Sequence, residues 1–116
     1  MKVAVIGSRK LTIPDLGDYL PAETTEIISG GAKGVDTSAR QYAFEHHIPL
    51  IEFLPDYERY GRAAPLKRNI TIIENADWVL AFWDGKSHGT KFVIENCQKR
   101  GVPIEVIALS VDAVTE

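Results

Sequence analysis

The chain has 116 residues, of which 45% are hydrophobic and 25% charged. This is the size and make-up of one globular domain with a real core, which excludes a disordered or collagen-like chain and gives an expected single domain over residues 1–116. A balance of 13 Lys+Arg against 16 Asp+Glu gives a net charge of −3, which argues against non-specific duplex binding as the main activity.

Cys97 is the only cysteine, so an internal disulfide and a multi-thiolate metal site are excluded. The longest apolar runs are far shorter than a membrane span, and the first residues lack the apolar stretch of a signal peptide. The expected location is the cytoplasm, with no membrane partner.

Val3 to Ile6 is short, β-branched and stopped by Gly7, which fits a strand buried on both faces. A short helical segment within Pro14 to Leu20, ended by Pro21, is the weakest element in the pattern. Further strands are expected at Glu26 to Ser29, Leu50 to Leu54, Trp78 to Phe82 and Ile104 to Leu109. Between them lie apolar stripes at helical spacing: Val35, Ala39 and Ala43, then Leu66, Ile70 and Ile73, then Val93 and Cys97. Gly101 and Pro103 supply a helix stop. Alternating strands and helices imply a five-stranded parallel sheet with helices on both faces, a Rossmann-like three-layer αβα sandwich.

Charge orders the strands. The first and fourth carry no charged residue between Val3 and Ile6 or between Trp78 and Trp83, whereas the others contain Glu26, Glu52 and Glu105. Central strands tolerate charge least, so the expected order is 3-2-1-4-5, with a flavodoxin-like 2-1-3-4-5 as the alternative. In such sheets ligands bind where the direction of winding reverses, at the carboxyl ends of the strands.

The segments leaving the first, second and fourth strands are Gly7 to Lys10, Gly30 to Asp36 and Asp84 to Thr90, all glycine-bearing and all basic. Glycine lets backbone N–H groups approach an anion, and each following helix points its positive end at the same place. Arg9, Lys10, Lys33, Arg62, Lys67, Arg68, Lys86 and Lys91 fall in these loops, in the long loop after the third strand or in a following first turn. Phosphate is the natural guest. The loops lack the glycines of a dinucleotide fingerprint and the Gly-Lys-Ser/Thr of a P-loop, which argues against a dehydrogenase or a Walker-type NTPase.

The chain resembles the SLOG superfamily, and within it the small YspA-like, cpYpsA-related branch. The resemblance is carried by Gly7-Ser8-Arg9, by Ser29 to Asp36, by Tyr60 to Ala64, by Lys67-Arg68-Asn69, and by Ala81 to Gly85 followed by Gly89-Thr90. It implies a Rossmann-like fold and a nucleotide-derived or similar phosphorylated ligand. More distant members are the lonely-guy phosphoribohydrolases and DNA-processing protein A. The lonely-guy signature places a glutamate three residues after its threonine, and here that position is Val93. Glu95 lies two residues on and, at about 100° per helical residue, points elsewhere. Asp84 and Glu95 are weak catalytic candidates, with Asp36 as a further carboxylate in the loops.

The residues expected to hold ligand are Gly7, Ser8, Arg9, Gly30, Gly31, Lys33, Arg68, Asn69, Asp84, Gly85, Gly89 and Thr90. Ser8 offers a hydroxyl or N–H and Arg9 a guanidinium fork. Gly30, Gly31 and Gly34 are expected to shape an anion nest with Lys33 beside it, while Asp36 reads as a helix-start partner. Thr90 can cap its helix or bind an oxyanion. Trp83 ends the fourth strand beside the crevice, where a core role outweighs a ligand contact.

The long loop from Pro55 to Pro65 carries Tyr57 and Tyr60, able to stack a base, cover the domain edge or meet a second copy. Adjacent His46 and His47 do not face one metal, and no metal or cofactor is implied. Three functions remain: capture of a phosphorylated nucleotide-derived ligand, cleavage of its N-glycosidic bond, or single-stranded DNA binding, the last disfavoured by net charge. Relatives of this architecture are often dimers, and exposed sheet edges are compatible with a homodimer.

Overall fold

The computed structural model of the chain describes residues 1–110; the expected domain end at Glu116 lies outside them. The elements run β1 (Lys2–Gly7), a 3₁₀ turn (Leu16–Asp18), β2 (Glu26–Ser29), α1 (Val35–Glu45), β3 (Leu50–Glu52), α2 (Tyr57–Tyr60), a second 3₁₀ turn (Gly61–Ala63), α3 (Ala64–Asn75), β4 (Trp78–Trp83), α4 (His88–Arg100) and β5 (Ile104–Ala108). All strand pairs are parallel and the order is β3-β2-β1-β4-β5. This is the order that the charge pattern of the strands implies. β1, free of charge from Val3 to Gly7, and the uncharged β4 are paired at the centre, from Val3 opposite Trp78 to Gly7 opposite Phe82.

Successive side chains of a strand point to opposite faces, so β1 feeds two cores. Val3 and Val5 join Val35, Ala39 and Ala43 of α1, together with Leu80 and Phe82. Ala4 and Ile6 join Ile72 and Ile73 of α3, Val93 and Cys97 of α4, and Val79 and Ala81. Full burial of each Val, Leu, Ile or Phe side chain among these contributes on the order of 1.5–3 kcal/mol before chain entropy is counted. Cys97 is part of this packing: burial pushes its thiol up to about 11, so at neutral pH it is an inert apolar filler and not a nucleophile.

Two elements differ from their sequence pattern. The connection between β1 and β2 contains a single 3₁₀ turn and no crossover α-helix. Pro14 and Pro21 leave too few residues between them, and Leu11, Ile13 and Leu16 cover the core directly as buried loop side chains. In α3 only Ile73 of the stripe Leu66, Ile70, Ile73 is buried: Leu66 is 41% exposed, and the inward face is made by Ala64, Asn69, Ile72 and Ile73. A polar residue, Asn69, occupies the inward face and shifts the apolar pattern to one side of it. Among the described residues no helix is long and apolar enough to cross a membrane.

Candidate functional site

At β1 and β4 the winding reverses, and a cavity of about 410 Å³ opens beyond their carboxyl ends. Its walls come from the loop after β1, the start of the loop after β2, the first turns of α3, and the loop and first turn leading into α4. Ile6, Ile72 and Val93 form an apolar floor, and Arg9, Lys10, Arg68 and Lys86 set four cations around it against the carboxylates of Asp36 and Asp84. An acidic chain thus carries a locally basic site.

The loops are sutured by short contacts. Gly7 lies so close to its neighbours that a Cβ there would sit 2.5 Å from the Phe82 carbonyl oxygen and 2.7 Å from Val35 Cγ2. Ser8 donates its backbone N–H to Phe82 O, and its own carbonyl accepts from Val35 N at 3.3 Å. Its hydroxyl donates to Asp84 Oδ2 at 3.1 Å while accepting from Lys10 N at 3.2 Å. Ser8 therefore ties the β1 loop to both its neighbours.

Asp84 organises the loop into α4. Its Oδ1 accepts from the backbone N–H groups of Lys86 and Ser87, both at 2.9 Å, an Asx-type turn completed by Gly85 at φ 80°. Those two N–H bonds, followed in smaller measure by the Ser8 hydroxyl, hold its carboxyl below the ordinary aspartate range. Asp84 is consequently an anion throughout the physiological range. Ser87 is the N-cap of α4, its hydroxyl accepting from Thr90 N at 3.4 Å and meeting Thr90 Oγ1 at 3.1 Å. Trp83 braces the same loop by donating Nε1–H to Ser87 O at 3.1 Å, and it stands outside the cavity.

On the opposite wall Arg68 reaches across α3. Its Nη1 donates to Gly30 O at 2.6 Å and to Phe53 O at 3.4 Å, and its Nε donates to Asn69 Oδ1 at 2.9 Å. Gly30 is what admits the guanidinium, since a Cβ there would lie 2.5 Å from Nη1. Asp36 lies beside this group, its Oδ2 accepting from Ala32 N at 3.0 Å. Burial raises the Asp36 pKa, opposed by the Ala32 N–H and the Arg68 charge, and burial likewise lowers that of Arg68.

Of the twelve residues expected to hold ligand, Gly7, Ser8, Arg9, Gly30, Arg68, Asn69, Asp84, Gly89 and Thr90 line this one cavity. Gly31, Lys33 and Gly85 do not. Gly31 has φ 68° and turns the chain next to Leu54, Lys33 is exposed, and Gly85 shapes the Asp84 turn. Gly30 makes room for Arg68. Glu95 is exposed on α4 and also lies outside, while Val93 sits in the floor. Asp36 clasps the β2 loop from the second residue of α1, and the cap itself is Gly34.

Lys10, Lys86 and the cap Ser87 are lining residues missing from the expected set; a serine three residues before Thr90, at the start of a helical stretch, is the sequence signal for such a cap. Tyr57 and Tyr60 stand off the cavity. The Tyr60 ring is flanked by Arg59 at 5.1 Å and Lys67 at 5.8 Å, so Lys67 faces away from the site.

This fold and crevice define a Rossmann-like domain with a cavity at its topological switch point. The model of the YspA, cpYpsA-related SLOG family matches residues 1–60, and the chain belongs to that family. It is similar to the Gene 61 protein of Mycobacterium phage D29, with 33% identity over 84 residues, covering 67% of each chain. No solved structure matches it.

Proposed function

We propose that the protein captures a phosphorylated, nucleotide-derived small molecule in the cavity beyond β1 and β4. The observation that carries this reading is the convergence of Arg9, Lys10 and Lys86 with the first turn of α4 around one open space. The first N–H groups of a helix have no intrahelical acceptor and carry partial positive charge, which suits a phosphate. The apolar floor of Ile6, Ile72 and Val93 suits the remainder of a nucleoside. A volume of about 410 Å³ falls within the range of small-molecule sites. Calorimetric titration with a panel of nucleoside monophosphates and ADP-ribose-like compounds tests it: micromolar binding of at least one is expected, and no heat with any of them contradicts it.

One feature favours a second reading, N-glycosidic hydrolysis. The Asp84 carboxylate faces the cavity, ionised and fixed by three hydrogen bonds, and such a group can stabilise positive charge developing on a ribose ring. Asp84→Asn separates the two. An asparagine retains the oxygen that accepts from Lys86 and Ser87 and gains a donor toward Ser8, so the turn is expected to survive. Under capture alone, removing a negative charge near the guest tightens binding about three- to tenfold, from a Coulomb repulsion of roughly 1 kcal/mol at intermediate dielectric. Under hydrolysis, release of free base from a nucleoside monophosphate stops. Chromatography of the incubated nucleotide alongside calorimetry gives both results.

A further inference from the structure

Arg68 and Asn69 are consecutive in sequence, yet their side chains meet, with Arg68 Nε donating to Asn69 Oδ1. A guanidinium has donors only, so the amide atom that faces it must be the carbonyl oxygen. This fixes the rotation of the Asn69 amide and sends Nδ2 the other way, toward α4, where a Cβ on Gly89 would be 4.0 Å from it. Asn69 is only 9% exposed and lines the cavity. Its Nδ2 has no protein acceptor among the described residues, and no fully enclosed side-chain polar atom among them lacks a partner, so this donor opens onto the cavity. An amide donor on a largely buried side chain, held in one orientation and open to the cavity beside the first turn of a helix, is a prepared site for an acceptor.

We propose that Asn69 Nδ2 is a specificity-determining donor to a phosphoryl oxygen of the ligand, and that Arg68 is a positioning residue that orients it. The proposal rests on capture of a phosphorylated ligand as argued above. Arg68 spends Nε and Nη1 on Asn69, Gly30 and Phe53 and lies beside the Asp36 carboxylate, so its part in this proposal is to orient Asn69. A neutral, oriented donor selects for an atom with free lone pairs and against a hydroxyl or amine donor in the same place.

The test is titration of ¹⁵N-labelled protein with adenosine 5′-monophosphate and, separately, with inorganic phosphate, followed by NMR. The side-chain NH₂ signal of Asn69 is expected to shift and saturate together with the backbone signals of Ser8, Gly89 and Thr90. Asn69→Asp keeps an oxygen toward Arg68 but replaces the donor with an acceptor, and is expected to weaken binding about tenfold or more. Arg68→Lys keeps the charge but cannot hold Gly30, Phe53 and Asn69 together, and is expected to lose about tenfold as well. The Arg68→Lys, Asn69→Ala pair is expected to be no weaker than Asn69→Ala alone.

Shifts at Ser8, Gly89 and Thr90 with none at the Asn69 amide overturn this inference and leave ligand capture standing, as does full affinity in folded Asn69→Asp. Absence of shifts anywhere overturns both.

Discussion

Replacing Gly34 by alanine is expected to destabilise the protein by about 3 kcal/mol. Gly34 is the N-cap of α1 with φ 71° and ψ −119°, a conformation open essentially to glycine alone. A Cβ at this position would lie 2.5 Å from the carbonyl carbon and oxygen of Arg9 and 2.6 Å from Ser8 O. These are backbone atoms, so no flexible side chain can yield; the β1 loop must move and the Val35 to Ser8 hydrogen bond goes with it. Gly85→Ala is the matched comparison. It too has positive φ, at 80°, but nothing lies within 4 Å of its Cβ position, and the expected cost is about 1 kcal/mol. Urea unfolding measures both, and equal losses would show that the approach of the two loops is not what requires Gly34.

Arg68→Met is expected to cost about 2–4 kcal/mol, because it leaves the Gly30 carbonyl without its partner and the Asp36 carboxylate buried without its counter-charge. The loss has a pH signature. Burial raises the folded Asp36 pKa above 3.8, so protonation of this group favours the fold at low pH and that contribution fades as pH rises through the folded value. Arg68 opposes the rise. Without it the folded pKa climbs further, so the deficit of the variant is expected to be smaller near about pH 4, where the lost Gly30 contact remains, and to grow toward about pH 7. Adding Asp36→Asn to Arg68→Met should flatten that dependence. Urea unfolding across this range checks it, and a deficit that shrinks with rising pH would contradict the pairing.

The strand order is legible in the sequence because burial on both faces leaves a simple mark: the buried stretches of β1, from Val3 to Ile6, and of β4 exclude charge, and β3 and β5 do not. The loops that build the site are legible for a related reason, since close backbone approach at Gly7 and Gly34 permits no side chain. What each glycine accommodates is a different matter. Gly30 faces the guanidinium of Arg68, which is 38 positions away, and no local pattern announces a partner so distant. Lys33 sits in a glycine-rich basic segment like Arg9 does, yet only the fold decides which cation turns inward. Asn69 is the most instructive residue. On a helix it reads as one more polar position, beside an apolar pattern that runs through Leu66 and Ile70. Its burial breaks the helical pattern, and the same burial gives it a role in the cavity.

The direct test is a crystal grown with adenosine 5′-monophosphate. The phosphate is expected between the Arg9 side chain and the first turn of α4, within hydrogen-bond distance of Asn69 Nδ2, with the nucleoside over Ile72 and Val93. A nucleotide bound instead beside Tyr57 and Tyr60, or a crevice closed by packed side chains at saturating nucleotide, would contradict the account.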